Sequence, residues 1–236
     1  MKNARKVFAS FVALLAVCLM QAADSKAVAR VMTITDIETD DAAGYAAWQS
    51  QANAIIKAKL GIDTYYHVYV TNFDGAKSGS VRSVVSAESV AALVKNNAAI
   101  AADPELRAIV EHTRAIRKTG ARVLAQGIRF DGTVKGGYVY TTTLRVTDEA
   151  GYLKALEGLR AVFDAKGFPD AKINAYRVLA GRTNYTHRVS ISVPTNARLA
   201  AMLDLLAGDA QMAAWLAETA KYRTVVGNMT AHDVIK

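Results

Sequence analysis

The sequence predicts an α+β fold of two β-α-β-β-α-β ferredoxin-like repeats. They would pack sheet to sheet as a pseudo-dimeric barrel within one molecule. Three observations predict it. First, the phrase "DDAAGYAAW" at 40–48 returns as "TDEAGYLKA" at 147–155. Second, at the same displacement of 107 the identities continue, through Thr35 and Thr142, Asp41 and Asp148, Gly44 and Gly151, Tyr45 and Tyr152, Lys59 and Lys166, Asp63 and Asp170, Tyr69 and Tyr176, and Ser83 and Ser190. Third, both halves run through strand-period and helix-period hydrophobicity in one order. Repetition over roughly 100 residues is a domain duplication, because solenoid repeats are 20–50 residues long.

In the first half, "RVMTITDIET" alternates as a strand. Asp40 or Asp41 then caps a helix to about Lys59, with Tyr45, Trp48, Ala52, Ile55 and Ile56 as its inward stripe and Gly61 as its stop. "TYYHVYVTNF" and "SVRSVVS" are the next strands, separated by "GAKSG". A helical stretch from about Glu88 to Ala101 restarts at "DPELRAIVEHTRAI", where Asp103 caps and Pro104 suits the first turn. "ARVLAQGIRF" is the fourth strand. The second half repeats the order, with strands "YVYTTTLRV", "AKINAYRVLA", "HRVSISV" and "RTVVGNMTAH", a helix "EAGYLKALEGLRAVFDAK", and helices from Ala197 to Lys221. The division expected is a signal peptide over 1–23, a first repeat over 24–130, a Gly-rich linker over 131–137 and a second repeat over 138–236. Each repeat alone leaves one sheet face bare, and a second copy supplies its cover.

The leader reads as an export signal. Lys2, Arg5 and Lys6 precede an apolar run from Val7 to Met20, and small residues at Ala22 and Ala23 offer a cleavage site. A periplasmic protein is expected, with a lipid anchor at Cys18 as the rival reading. Without the leader no membrane span is expected. Removing three leader basics from 29 leaves 26 against 21 acids, a net charge of +5. Those basics are dispersed, so nucleic acid is not an expected partner. Cys18 is the one cysteine, which removes disulfides, thiol nucleophiles and cysteine metal sites from the rest of the chain. No His-x-x-Glu-His, acidic calcium loop, Gly-x-Ser-x-Gly or phosphate loop occurs, and no metal site is expected.

The element order, the Asp-x-x-Gly-Tyr start of the first helix and the Asp-Pro-Glu restart of the second resemble the dimeric α+β barrel superfamily, in a tandem-duplicated form. The likeness covers about residues 29–236. It implies that two units meeting as a homodimer elsewhere meet here as a monomeric pseudo-dimer. It also implies a range of functions: monooxygenases of the antibiotic-biosynthesis kind, haem-dependent enzymes and plain binding proteins. Cofactor-free oxygenation would cast Trp48, Asn174, Tyr69 and Arg145 around an aromatic substrate. The cofactor expected is none, with haem as the alternative.

Strand alternation sorts the candidate site residues. In the second half Thr143, Arg145, Arg188 and Ser190 share a polar face, and Lys172, Asn174 and Tyr176 fall together. Shifting by 107 gives Ile34, Asp36, Glu38, Val81, Ser83 and Val85, with Tyr65, His67 and Tyr69 on the second strand. These faces line a cavity between the copies in the reading adopted here. Arg145, Lys172 and Arg188 supply cations, Tyr65, Tyr69 and Tyr176 rings, and Thr143 and Asn174 hydrogen bonds, for a small anionic or aromatic ligand. The catalytic candidates are His67, flanked by two tyrosines, and His112, on the second helix of the first half. The resemblance implies that haem-binding members often use a helix histidine, although the chlorite-type enzymes carry theirs on a helix of the second copy, where neither major helix here contains one. The expected function is ligand binding in the cavity, and the alternative is a monooxygenase-like enzyme.

Overall fold

A computed structural model describes residues 30–63, 65–74, 79–114, 117–181 and 183–235. The expected signal peptide and Cys18 lie outside the described residues. The elements are β1 (Val31–Glu38), α1 (Ala42–Leu60), β2 (Tyr65–Phe73), β3 (Val81–Ala87), α2 (Val90–Ala102), α3 (Pro104–Arg114), β4 (Lys118–Phe130), β5 (Tyr138–Val146), α4 (Glu149–Ala165), β6 (Lys172–Ala180), β7 (His187–Val193), α5 (Asn196–Gly208), α6 (Ala210–Thr219) and β8 (Arg223–Asp233). Both halves therefore run through the same order of strands and helices. Residues 131–137 connect β4 to β5.

The shared Asp-x-x-Gly-Tyr phrase is a helix start with a steric condition. Asp41 Oδ1 accepts from the Gly44 amide at 2.7 Å, and Asp148 Oδ1 accepts from Gly151 at 2.9 Å. The capping carboxylate lies over the glycine so closely that a Cβ at Gly44 would meet Asp41 Oδ2 at 2.0 Å. The glycine is thus required by the cap rather than by φ. Gly61, at φ 65°, ends α1 in the left-handed conformation, with its amide bonded to the Lys57 carbonyl. Ser89 caps α2 and Asp103 caps α3. The second half has the equivalent break, where Asp209 ends α5 and caps α6.

All eight strands join one closed antiparallel barrel in the order β1-β3-β2-β8-β5-β7-β6-β4. Within each half the order is the ferredoxin-like one, β4-β1-β3-β2 and β8-β5-β7-β6. The halves join edge to edge. β2 pairs with β8 and β4 pairs with β6, so both open edges of both sheets are satisfied. The bare sheet faces curve into the barrel wall. No described single helix is long and apolar enough to cross a membrane.

The helices cover the outside, and there the halves differ. Under α4, α5 and α6, Leu156, Leu159, Phe163, Met202, Met212 and Trp215 form a dense core, with Trp215 Nε1 donating to the Ala155 carbonyl at 2.7 Å. Under α1 the equivalent positions hold Gln49, Ala52 and Ile56, and a gap of about 400 Å³ opens between α1, α2, α3 and β3. The Phe163→Ala variant is expected to lose about 3–5 kcal/mol of stability, and Ile56→Ala, beside a gap already present, about 2 kcal/mol. Urea unfolding of both variants measures the difference.

Candidate functional site

Closure of the barrel sends alternate residues of every strand inward. The interior is two chambers separated by a layer of Ile34, Arg82, Arg188 and Met229, which line both. The inner chamber is about 60 Å³ and carries His67, Tyr65, Tyr69, Tyr176, Thr141 and Ser190. The wide chamber is about 860 Å³ and carries Asp36, Asp74, Thr143, Asn184, Tyr185 and Asn228.

His67 is the organising group of the inner chamber. Its Nδ1 lies 2.6 Å from Asp233 Oδ2, with the Asp233 side chain fully buried and His67 nearly so. An ionised carboxylate only accepts, so Nδ1–H is the donor, and in the neutral imidazole the lone pair is on Nε2. Asp233 also accepts from the Gly136 and Ile235 amides. Those bonds fix the carboxylate, and the carboxylate fixes the tautomer. His67 Nε2 is buried and has no hydrogen-bond partner among the described residues. Tyr65 meets the imidazole edge-on at 4.8 Å and Tyr69 stacks on it at 5.6 Å. A histidine held in this way can take a proton from a group placed in the chamber.

The separating layer holds two arginines that occupy equivalent positions: Arg82 pairs in register with Tyr69, and Arg188 with Tyr176. Their surroundings differ. Arg82 bonds Asp36 at 2.8 Å and reaches Asp74 at 3.5 Å, and its guanidinium also contacts the Met229 sulfur. Arg188 is nine-tenths buried, donates to the Tyr185 hydroxyl at 3.4 Å and lies over the face of that ring. No carboxylate lies within ion-pair distance of Arg188 among the described residues, and its Nε has no partner. Burial, and then the nearby Arg82 charge, lower the Arg188 pKa, partly offset by Tyr185 and by Asp36 and Asp74, which act on Arg188 at longer range.

The tyrosines are held neutral. Burial, reinforced by Asp233, raises Tyr69 well above the ordinary phenol value. Burial also raises Tyr176, against a hydrogen bond with Ser190. Tyr65 is raised by burial too, and donates to Thr133 Oγ1 at 2.6 Å. These hydroxyls are hydrogen-bond donors at neutral pH and not bases.

Of the residues the sequence nominates, Tyr65, His67, Tyr69, Tyr176 and Arg188 meet in the inner chamber. Thr143 lines the wide chamber and donates to the Gly227 carbonyl. Three leave the cavity because they sit where their strands end or meet the linker. Arg145 is exposed, with Nε donating to the Asn184 carbonyl at 2.6 Å. Lys172 is half-buried beside Gly132. Asn174 is buried, accepting from the Asp131 amide and donating to the Gly132 carbonyl, so it pins the connection between the halves. Trp48 lies in the helical layer, so Trp48, Asn174, Tyr69 and Arg145 do not converge. His112 falls in α3, and its side chain lies outside the described residues. The expectation for β3 is corrected as well. The halves match at 107 through β2 but at 106 in β3, where Arg82, Val84 and Ser86 face inward instead of Val81, Ser83 and Val85. One residue of difference in the β2–β3 turn flips the face. Sequence reasoning therefore missed Arg82, and it missed Asp233, which is 166 positions from His67.

An eight-stranded closed barrel with helices outside, enclosing a histidine–aspartate pair and a buried arginine, has the dimeric α+β barrel fold. Comparison with solved structures agrees on the fold. The chain is similar to a protein assigned as a monooxygenase from Lactobacillus acidophilus (TM-score 0.55, 10% identity, covering 87% of this chain and 93% of that one). It is also similar to an anthrone oxidase-like protein (0.53, 16%, 87% and 90%) and to a haem-binding protein from Thermus thermophilus (0.51, 8%, 87% and 91%). No family model and no curated protein matches the sequence.

A haem does not fit this barrel interior. His67 Nε2 has the chemistry of an axial ligand, but it faces about 60 Å³, where a pocket of roughly 300 Å³ or more is needed for a ligand of that size. The wide chamber has the volume and no histidine in its lining.

The buried phenols set an alkaline limit. The unfolded chain releases the Tyr69 and Tyr176 protons near about pH 10, while the folded chain keeps them. The folded state then binds more protons, so their effect on stability is nil below about pH 10 and destabilising as pH rises beyond it. Thermal midpoints are expected to fall above that pH, with tyrosinate absorbance of these residues appearing together with unfolding.

Proposed function

We propose that the protein is a ligand carrier or sensor that holds a small aromatic anion inside the barrel. One observation carries the reading: Arg188 is a buried cation without a carboxylate partner among the described residues, at the floor of the wide chamber. Asp36 and Asp74 act on Arg188 only at longer range, and an anionic ligand in direct contact offsets more of the cost of burying its charge. The body of the ligand lies in the wide chamber and its charged end reaches the Ile34–Arg82–Arg188–Met229 layer. The leader layout supports export to the periplasm, where a cysteine-free body needs no redox partner. The repeated phrase and the shared element order support descent from a duplicated domain, so that one chain closes the barrel as a monomer.

The second reading is an enzyme of the monooxygenase kind working without a cofactor. It is favoured by the free Nε2 of His67 and by the monooxygenase and anthrone oxidase-like proteins of similar fold.

Titration calorimetry with salicylate tests the binding reading. Arg188→Leu is expected to weaken binding about 10- to 100-fold, the value of one or two charge-assisted hydrogen bonds. The same substitution is expected to leave the thermal midpoint unchanged or higher, since it removes a buried charge. Salicylate affinity equal in the variant and the parent would sink the reading. Added haemin is expected to give only the spectrum of free haemin.

A further inference from the structure

We propose that the barrel also removes a proton from its ligand, with His67 as the base and a phenol-type hydroxyl as the acid. The inference rests on the reading that a ligand enters the barrel, and it deepens that reading by naming the chemistry at the inner end. Four observations carry it. His67 Nε2 is buried and without a partner among the described residues, and it is the lone-pair nitrogen of the tautomer that Asp233 selects. Asp233 holds the other nitrogen at 2.6 Å and so stabilises the imidazolium that forms. Arg188 lines the same chamber, its Nε without a partner and no carboxylate in direct contact among the described residues, and is placed to receive the oxyanion that forms. Tyr69 and Tyr176 line that chamber, apolar in body and kept protonated by burial, so they offer ring faces and hydroxyl donors without competing as bases.

The step balances without any co-reactant. The ligand O–H bond breaks, its proton forms the Nε2–H bond of His67, and the electron pair stays on the ligand oxygen beside Arg188. The chamber of about 60 Å³ admits a hydroxyl but not a ring. The ring therefore lies across the separating layer, where the Met229 thioether is the most yielding side chain. A flat aromatic alcohol whose hydroxyl is more acidic than phenol itself is the class that fits, since proton transfer is most effective when the acid and base are matched. Besides Asp233, the ionisable groups facing this chamber are Tyr65 and Tyr69 on β2, Tyr176 on β6, Arg82, Arg188 and Arg30.

The test uses 4-nitrophenol and its methyl ether 4-nitroanisole, which has the same ring and no acidic proton. Binding of each is followed by calorimetry, at a pH about one unit below the point where free nitrophenol ionises. The bound nitrophenol is expected to show the yellow phenolate band, and the ¹⁵N spectrum of His67 to show imidazolium with nitrophenol and neutral imidazole with nitroanisole. In His67→Gln, the phenolate band of bound nitrophenol is expected to be lost. The spectroscopic comparison of the two probes on the parent protein stands even if that variant does not fold. Nitrophenol bound as the neutral phenol, or a phenolate band undiminished in His67→Gln, overturns the base assignment alone. Failure of both probes and of salicylate to bind overturns the ligand reading and this inference together.

Discussion

The rest of the structure depends on the pairing of four sheet edges. Each half is a four-stranded sheet whose outer strands, β2 and β4 or β6 and β8, would present unpaired amides and carbonyls to solvent. Pairing β2 with β8 and β4 with β6 removes all four edges at once. It also forces each sheet to curl, and the curl turns two bare faces into one enclosed lining. The helices then have only the outer surface to cover. This is why the two larger apolar clusters lie outside the barrel, under α1 and under α4 to α6, while smaller ones around Met32, Ile34 and Val123 and around Val139, Met229 and Ala231 share the centre with the polar inward residues.

An enclosed lining has to settle its charges internally. Arg82 does so with Asp36 and Asp74, two acids of its own half. His67 does so with Asp233 across the β2–β8 seam. Arg188 holds the position equivalent to Arg82 but has no carboxylate in direct contact among the described residues, because Thr143 and Gly181 stand where the first half places Asp36 and Asp74, and those two acids reach Arg188 only at longer range. The halves differ outside the barrel as well, where Leu156 and Leu159 hold the positions that Gln49 and Ala52 hold in the first half. The second half carries the denser core and the arginine without a direct carboxylate contact among the described residues. The first half carries the histidine and the looser helical layer.

Much of the fold was legible in the sequence, because the repeated phrase encodes local physics twice. Asp41 with Gly44 and Asp148 with Gly151 announce helix starts, Gly61 a stop, and the break at Asp103 a restart, each through contacts a few residues long. Strand alternation put Tyr65, His67, Tyr69, Tyr176 and Arg188 on inward faces correctly, since parity survives along a strand. It failed where parity is reset, in the β2–β3 turn, and so gave Val81 and Ser83 in place of Arg82. It also could not say where a strand leaves the cavity. Arg145 and Lys172 have the right parity and the wrong height. Asn174 has the right parity too, but spends its amide on the linker carbonyl. Asp233 was beyond reach for another reason: nothing local to "AHD" indicates which strand β8 will lie against.

That seam is where fold and chemistry meet. Tyr69 pairs in register with Asp233, and the Val234 amide bonds the Val68 carbonyl, so the backbone around the dyad is itself the joint between the halves. His67 comes from one half, Asp233 and Arg188 from the other. Neither half alone can orient the imidazole, and neither alone can enclose the arginine. A barrel opened at β2–β8 would expose two edges, release Asp233 into water and let His67 exchange tautomers. The interaction that makes the molecule closed is therefore also the one that leaves Nε2 bare and aimed inward.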